Sequence, residues 1–287
     1  MSLATWLFIR NCVKSDTKRD AGLTTPANIK RFDNIQYGED SKWHLLDVYR
    51  PNNTDEKLPV IVSIHGGGWV YADKEVYQYY CMNLAERGFV VVNFSYRLAP
   101  KNKFPASLED SNAVFTWVHD NADKYGMDLD NLFAVGDSAG ATNIGLYAAM
   151  LTNQDYAKKY DFKLPDISLK AIGLNCGLYN MNRKENGSFN SAIFEHKGSK
   201  EELDMMSLIH HITPSFPPCY ILGASNDQFS QGIQELTEVL TTNNIKYIDK
   251  IYGDEKNHPL YHVFHCNIKS DDAKLANDDE CNFFLSI

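Results

Sequence analysis

Short apolar runs alternate with longer stretches of helical periodicity along most of this chain. The runs predict strands over residues 43–49, 59–65, 89–96, 132–136, 169–175, 218–223 and 247–252. The periodic stretches predict helices over residues 74–87, 107–125, 139–152, 230–242 and about 273–285. Runs such as Val90–Val92 show no polar alternation, as expected of strands buried on both faces. The pattern therefore predicts an α/β fold, with a mostly parallel sheet and helices on both faces.

Two segments interrupt this alternation. Residues 1–40 hold one short apolar run together with Gly22, Pro26 and several charges. Residues 179–216 are rich in asparagine at first and then show a helical pattern from 200 to 211. We expect both segments to form a small cap over one end of the sheet, where substrate selection often lies. The alternative is that both segments are ordinary surface loops with no role in substrate selection. In either case the length of the chain fits a single domain over residues 1–287.

Composition and charge narrow the classes of partner. The chain is 44% apolar and 23% charged, which is ordinary for a soluble globular protein. Its net charge of −9 argues against nucleic acid and against an anionic membrane as partners. The apolar start, residues 1–9, lacks a basic segment and a small-residue cleavage site, and no run reaches the ~20 residues needed to span a bilayer. We expect a cytoplasmic protein.

The six cysteines form no C-x-x-C pair, so a zinc ribbon or a thioredoxin-type motif is not indicated. Several lie in apolar runs, which favours buried free thiols over disulfides. Neither a metal nor a cofactor is predicted.

A G-x-S-x-G motif occupies residues 136–140, directly after the apolar run 132–135. A strand that turns sharply into a helix exposes the serine hydroxyl at the tip of the turn, and the helix N-terminus favours developing negative charge. Ser138 is therefore the candidate nucleophile. Gly136 and Gly140 flank it because a tight turn leaves no room for side chains. A purely structural turn is the alternative.

A second glycine-rich segment, His65-Gly66-Gly67-Gly68-Trp69, follows the apolar run 58–64. Backbone amides of Gly66 and Gly67, together with the amide of Ala139, are predicted to stabilise the oxyanion that a serine attack creates. A merely flexible loop is the alternative interpretation. His65 is interpreted as structural, not as the catalytic base.

The serine needs a base, and the base needs an orienting carboxylate. Asp227 follows the predicted strand 218–223, at the end of the sheet where ligands bind, although it could instead cap the next helix. The base lies among His258, His262 and His265, which local sequence does not separate.

Taken in order, these motifs resemble the hormone-sensitive-lipase-like group of α/β-hydrolase carboxylesterases, over roughly residues 40–287. The group carries His-Gly-Gly-Gly, Gly-Asp-Ser-Ala-Gly, a late Asp and His-x-Phe, and residues 96–100, Tyr-Arg-Leu-Ala-Pro, also match it. The resemblance implies a triad of Ser138, Asp227 and His262 with oxyanion donors at Gly66, Gly67 and Ala139. It is the His-x-Phe match that favours His262 over its two neighbours.

The chain departs from this group in three places. Gln228-Phe229 replaces Pro-Leu after the acid, and the loop before the base is longer. After the alanine of the serine motif the group commonly continues Gly-Gly-Asn, whereas this chain has Gly140-Ala141-Thr142-Asn143. These departures bear on the acyl and alcohol pockets, not on the triad. The candidate pocket residues are aromatic: Trp69, Tyr71, Tyr96, Tyr179 and Phe194.

The sequence thus predicts a serine carboxylesterase that hydrolyses small, short-acyl esters such as acetyl esters, with a small-molecule ester as its partner. Two alternatives remain open. One is an amide hydrolase similar to kynurenine formamidase, which His-Gly-Gly-x-Trp also resembles. The other is a ligand-binding protein on the esterase fold, as in the gibberellin receptor, although that receptor lacks the histidine present here. The oligomeric state is left open between a monomer and a homodimer.

Overall fold

The computed structural model describes residues 2–184, 187 and 189–287. Within them, one eight-stranded sheet has the order β1-β2-β4-β3-β5-β6-β7-β8. The strands are β1 (Ile29–Gln36), β2 (Leu45–Pro51), β3 (Leu58–Ile64), β4 (Val90–Phe94), β5 (Met127–Asp137), β6 (Ala171–Asn175), β7 (Cys219–Ala224) and β8 (Tyr247–Tyr252). Both pairings of β2, with β1 and with β4, are antiparallel, and the other neighbours pair in parallel. The predicted α/β-hydrolase fold is confirmed.

Helices cover both faces of this sheet. They are α1 (Leu3–Asp20), α2 (Lys74–Ala85), α3 (Ala106–Tyr125), α4 (Ala139–Thr152), α5 (Gln154–Ala157), α6 (Asn190–Ile193), α7 (Lys200–Met206), α8 (Ile233–Thr242) and α9 (Asp271–Leu285). Apolar residues of α3, α4 and α8 form the core on one face, and those of α2 and α9 form the core on the other. None of the helices in this described part is both long and apolar enough to cross a bilayer.

The central strands are apolar throughout because both of their faces are covered. Along β3, Val60, Val62 and Ile64 belong to the core with α3 and α4, whereas Ile61 belongs to the core with α2. All four side chains are fully buried. A strand of this kind loses the polar alternation of a half-exposed strand, which is why the apolar runs located the sheet centre well.

Residues 1–40, the first segment predicted as a cap, lie only partly outside the central sheet. Residues 29–36 form β1, the edge strand that pairs with β2, so the cap predicted over 1–40 extends too far. Most of the strand is exposed or half-buried, which removes the apolar signal that marks central strands. Residues 3–20 form a helix of 18 residues, where the sequence showed only a short apolar run. The second segment, 179–216, contains α6 and α7, while Met1, Glu185, Asn186 and Ser188 lie outside the described residues.

Candidate active site

Ser138 stands alone between β5 and α4, in a backbone conformation that L-residues rarely adopt. Its φ is 52° and its ψ is −118°. The turn is tight because β5 runs straight into the helix. A Cβ at Gly136 would lie 2.3 Å from the Gly140 oxygen, and one at Gly140 would lie 2.0 Å from the Ile64 oxygen. The two glycines are therefore a steric requirement, and the strained serine projects its side chain out of the sheet.

Three side chains from distant parts of the chain form a line of hydrogen bonds at this turn. The Ser138 Oγ lies 2.9 Å from Nε2 of His262, and Nδ1 of His262 lies 2.7 Å from Oδ2 of Asp227. The Asp227 side chain is 1% exposed and that of His262 is 34% exposed. Because a carboxylate accepts, Nδ1 donates, and Nε2 of the neutral ring is then free to take the serine proton.

The carboxylate of Asp227 is itself oriented. Its Oδ1 accepts a hydrogen bond of 3.1 Å from the Phe229 amide, so the aspartate also caps the short 3-10 turn that begins at Gln228. The capping role, weighed above as an alternative to the contact with the base, coexists with it. One oxygen serves the turn and the other serves His262.

The two competing histidines lie elsewhere. The imidazole of His258 is 61% exposed and lies 2.9 Å from Asp272. His265 is completely buried, and burial lowers its pKa to about 3. Of the three, only His262 touches Ser138 in the described structure. His65 is also buried: it donates to the Gly66 carbonyl at 2.8 Å and stacks on Tyr96, which is a structural placement.

The glycine-rich loop corrects one predicted oxyanion donor. The Gly66 amide donates to the Tyr77 hydroxyl at 3.1 Å, so it is not free, and Gly66 does not line the cavity over Ser138. Gly67 and Gly68 do line that cavity, at φ values of +99° and +60°. In the described structure, neither of their amides, nor that of Ala139, donates to any protein group.

The geometry thus replaces Gly66 with Gly68 in the set of candidate donors. The set becomes Gly67, Gly68 and Ala139. The sequence could not set this register, since three consecutive glycines are equivalent until Tyr77 engages one of them.

A cavity of about 390 Å³ lies directly over Ser138. Two of the predicted pocket residues, Trp69 and Tyr71, line it. The Trp69 indole donates to Asn143 at 3.0 Å, and the Tyr71 hydroxyl donates to Asp16 at 2.8 Å. These contacts fix both rings as walls of the cavity.

The other three predicted aromatics do not line the cavity. Tyr179 is buried in the core, where its hydroxyl donates to the Leu174 carbonyl at 3.0 Å, so its prediction as a substrate-binding residue is wrong. Tyr96 stacks on His65, and Phe194 packs edge-on against Phe104. Aromatic residues suit a core and a pocket equally well, and their sequence positions do not distinguish the two.

Helix α1 supplies one wall that the sequence did not reveal. Its residues Phe8, Cys12, Ser15, Asp16 and Arg19 line the cavity. Their spacing places them on one face of a helix, but that face mixes apolar, polar and charged groups and carries no clear amphipathic signal. The cavity is also lined by the apolar residues Leu178, Phe189, Ile193 and Phe229.

The cavity's buried charge comes from Asp137, the residue before Ser138. Burial raises the pKa of its carboxyl to about 6, and the Tyr77 hydroxyl donates to it at 2.7 Å. Asp137, His265 and Cys266 place three metal-type donor atoms within 4.8 Å of one another, as do Cys176, Asp227 and His262. In each group a carboxylate is already held by a hydrogen bond, from Tyr77 in the first and from His262 in the second.

The sequence matches a known family model and several proteins named as esterases. Residues 46–237 match the family model described as BD-FAE. Esterase LipQ of Mycobacterium tuberculosis is 29% identical over 184 residues, which are 60% of this chain and 43% of that protein. Ethyl acetate hydrolase of Pseudomonas putida is 36% identical over 121 residues, 40% of this chain and 37% of that protein. In both cases the match spans less than half of the relative.

The fold has close counterparts among solved structures. The inhibited esterase B from Lactobacillus rhamnosis superimposes with a TM-score of 0.89 at 22% identity, over 99% of this chain and 95% of that one. At this identity the likeness shows a shared fold, and residue roles have to be argued from the geometry of this chain.

Proposed function

This chain belongs to the BD-FAE family, among relatives named as esterases and carboxylesterases, and we propose that it is a serine carboxylesterase acting through an acyl-enzyme on Ser138. The observation that carries the proposal is the line of hydrogen bonds from Ser138 through His262 to Asp227, beside three backbone amides with no protein acceptor. Nucleophile, base, orienting acid and oxyanion donors are the parts that acyl transfer requires.

The first half of the reaction follows from these contacts. Nε2 of His262 takes the Ser138 proton as Oγ attacks the ester carbonyl carbon, and Asp227 stabilises the resulting imidazolium. The carbonyl oxygen becomes an oxyanion, which the amides of Gly67, Gly68 and Ala139 are placed to bind. The imidazolium then gives its proton to the departing alkoxide, which leaves as the alcohol.

Water completes the cycle. His262 takes a proton from a water molecule, whose oxygen attacks the acyl carbon and forms a second tetrahedral oxyanion. Collapse of this intermediate breaks the bond to Oγ. The proton returns to Ser138, and the carboxylic acid leaves.

The substrate is proposed to be a small ester with a short acyl chain. A cavity of about 390 Å³ is near the lower end of the range for small-molecule sites. Apolar groups such as Leu178, Phe189 and Phe229 suit an alkyl chain. The name of the relative ethyl acetate hydrolase supports an acetyl ester.

A series of p-nitrophenyl esters with acyl chains from acetyl to decanoyl tests both parts of the proposal. We expect kcat/KM to be highest for the short chains and kcat to fall at least ~10³-fold in Ser138→Ala. Ser286→Ala, at an exposed serine after α9, is the matched control and keeps full activity. Hydrolysis by Ser138→Ala at the wild-type rate would refute the mechanism.

Two further assays address the alternatives. A kcat/KM for N-formylkynurenine far above that for every ester would make the protein an amide hydrolase. Saturable ligand binding without turnover of any ester or amide would make it a binding protein on an esterase fold. The intact contact between Ser138 and His262 supports turnover over binding alone.

A further inference from the structure

The outer side of α1 carries exposed apolar side chains. Leu3 is 72% exposed, Trp6 43%, Leu7 44% and Val13 48%. At 100° per residue these four positions fall on one side of the helix. The opposite side holds the cavity-lining residues Phe8, Cys12, Ser15, Asp16 and Arg19. One helix therefore faces the candidate active site on one side and presents four exposed apolar residues on the other.

The same outer side carries three cations. Arg10, Lys14 and Lys18 are exposed and lie at positions between or beside the four apolar residues. The Arg10 guanidinium lies 5.5 Å from the centre of the Trp6 ring, so it packs on the indole. No carboxylate balances these charges from within the helix, because Asp16 and Asp20 are both paired with Arg19, at 2.9 and 2.7 Å.

We propose that the outer side of α1, formed by Leu3, Trp6, Leu7, Arg10, Val13, Lys14 and Lys18, docks on an anionic lipid surface. Helices that lie in the plane of a membrane interface combine a tryptophan and aliphatic residues, which enter the headgroup region, with lysines and arginines, which pair with anionic headgroups. Both kinds of residue are present here on a single exposed side.

A second copy of this chain is a poorer occupant. A two-fold contact between identical helices brings the same patch from both copies together. Arg10, Lys14 and Lys18 of both copies would then lie together in one interface, with no carboxylate of either α1 free to separate them. Charge complementarity therefore favours an anionic surface over self-association.

The net charge of −9 predicts repulsion from anionic membranes only if the charge is spread evenly. At physiological ionic strength the screening length is about 8 Å, so a docked face responds mainly to its own charges. The α1 side is locally positive, and this local charge overrides the expectation drawn from the whole chain.

Co-sedimentation with lipid vesicles tests the proposal independently of any esterase activity. We expect the protein to sediment with phosphatidylcholine vesicles that contain about one third phosphatidylserine, and not with phosphatidylcholine alone. Replacing Arg10, Lys14 and Lys18 together by glutamine should lower the partition coefficient about 100-fold, at about fivefold per cation. Trp6→Gln with Leu7→Gln should also lower it, by removing the apolar part of the patch.

The matched control is Leu275→Gln with Leu285→Gln, which removes two apolar residues of α9 that are 52% and 59% exposed. We expect this variant to bind vesicles as the wild type does. Circular dichroism and thermal unfolding check that every variant is folded.

Three results would overturn the proposal. The first is absence of wild-type protein from the anionic vesicles, and the second is equal loss of binding in the α9 control. The third is a concentration-dependent dimer that the α1 variants abolish, which would make a second copy the occupant.

Discussion

The hydroxyl of Tyr77 donates a hydrogen bond of 2.7 Å to Oδ2 of Asp137 and accepts one of 3.1 Å from the Gly66 amide. Asp137 precedes the proposed nucleophile Ser138, and Gly66 opens the loop that carries two of the candidate oxyanion donors. A single buried side chain of α2 therefore ties the nucleophile turn to the oxyanion loop. The relative position of Ser138 and Gly67 depends on this tie.

Tyr77→Phe removes the hydroxyl that joins Asp137 to Gly66, so the buried carboxyl and the buried amide each lose one hydrogen-bond partner. Because the loop is then free to shift away from Ser138, we expect kcat to fall by about 10- to 100-fold, less than the loss of a whole oxyanion donor, with KM changed far less. Steady-state kinetics on a p-nitrophenyl ester, together with the inactivation rate by a phosphonate ester, measures this effect.

Tyr80→Phe is the matched control for Tyr77→Phe. Tyr80 lies one turn further along α2 and is also buried, but its hydroxyl has no hydrogen-bond partner in the described structure. We expect its kcat to stay within about twofold of the wild type, because no buried group loses a partner. Equal losses in the two variants would assign the effect to packing of α2, not to the tie.

Backbone strain at Ser138 predicts an inverted order of stability for two inactive variants. At a φ of 52° and a ψ of −118°, glycine is unstrained, whereas alanine keeps the Cβ and with it the strain of the native serine. We expect Ser138→Gly to unfold in urea with a free energy about 1 kcal/mol higher than Ser138→Ala. At Ser111, inside α3, the order should be the ordinary one, with alanine above glycine. The same order at both positions would contradict strain at the nucleophile.

The contact between Asp227 and His262 predicts a loss of rate that does not depend on unfolding. In Asp227→Asn the side-chain amide can donate to Nδ1 of His262, which favours the tautomer with its proton on Nε2. That tautomer does not accept the Ser138 proton, so kcat should fall about 10³- to 10⁴-fold. We expect the melting temperature of the variant to stay near that of the wild type. Ester hydrolysis by Asp227→Asn at the wild-type rate would exclude Asp227 as the orienting acid.

A buried carboxyl on α9 predicts how stability depends on pH. Burial raises the pKa of Glu280 from 4.5 to about 7. Between these two values the folded protein holds a proton that the unfolded chain has released, so this group makes stability fall as pH rises. Over the whole window the loss is about 3 kcal/mol.

Glu280→Gln removes that contribution. Urea unfolding at pH 5 and pH 8 should show a smaller decline in the free energy of unfolding for the variant than for the wild type. Part of the decline remains in both, since burial also raises the pKa of Asp137, to about 6. Identical declines in the two proteins would show that Glu280 does not titrate in this range.

Much of this fold could be predicted because its centre has a simple pattern. Strands buried on both faces are apolar throughout, so β3, β4 and β5 were visible as runs. The edge strand β1 and the helix α1 were missed because each is partly exposed and mixes residue types. Edge strands and surface helices are held by long-range packing, which a local pattern does not report.

The sequence by itself determined the local features: a serine in a turn too tight for side chains, a glycine loop after a buried strand, and the order of the candidate nucleophile, acid and histidine. Tertiary structure decided the rest. Ser138 and His262 are 124 residues apart, and sheet order brings them to 2.9 Å while it leaves His258 and His265 aside. The Tyr77 hydroxyl accepts from the Gly66 amide and leaves those of Gly67 and Gly68 free. Residues of α1 form one wall of the cavity. Short-range sequence reports turns and burial, whereas distances between remote residues arise only when the sheet assembles.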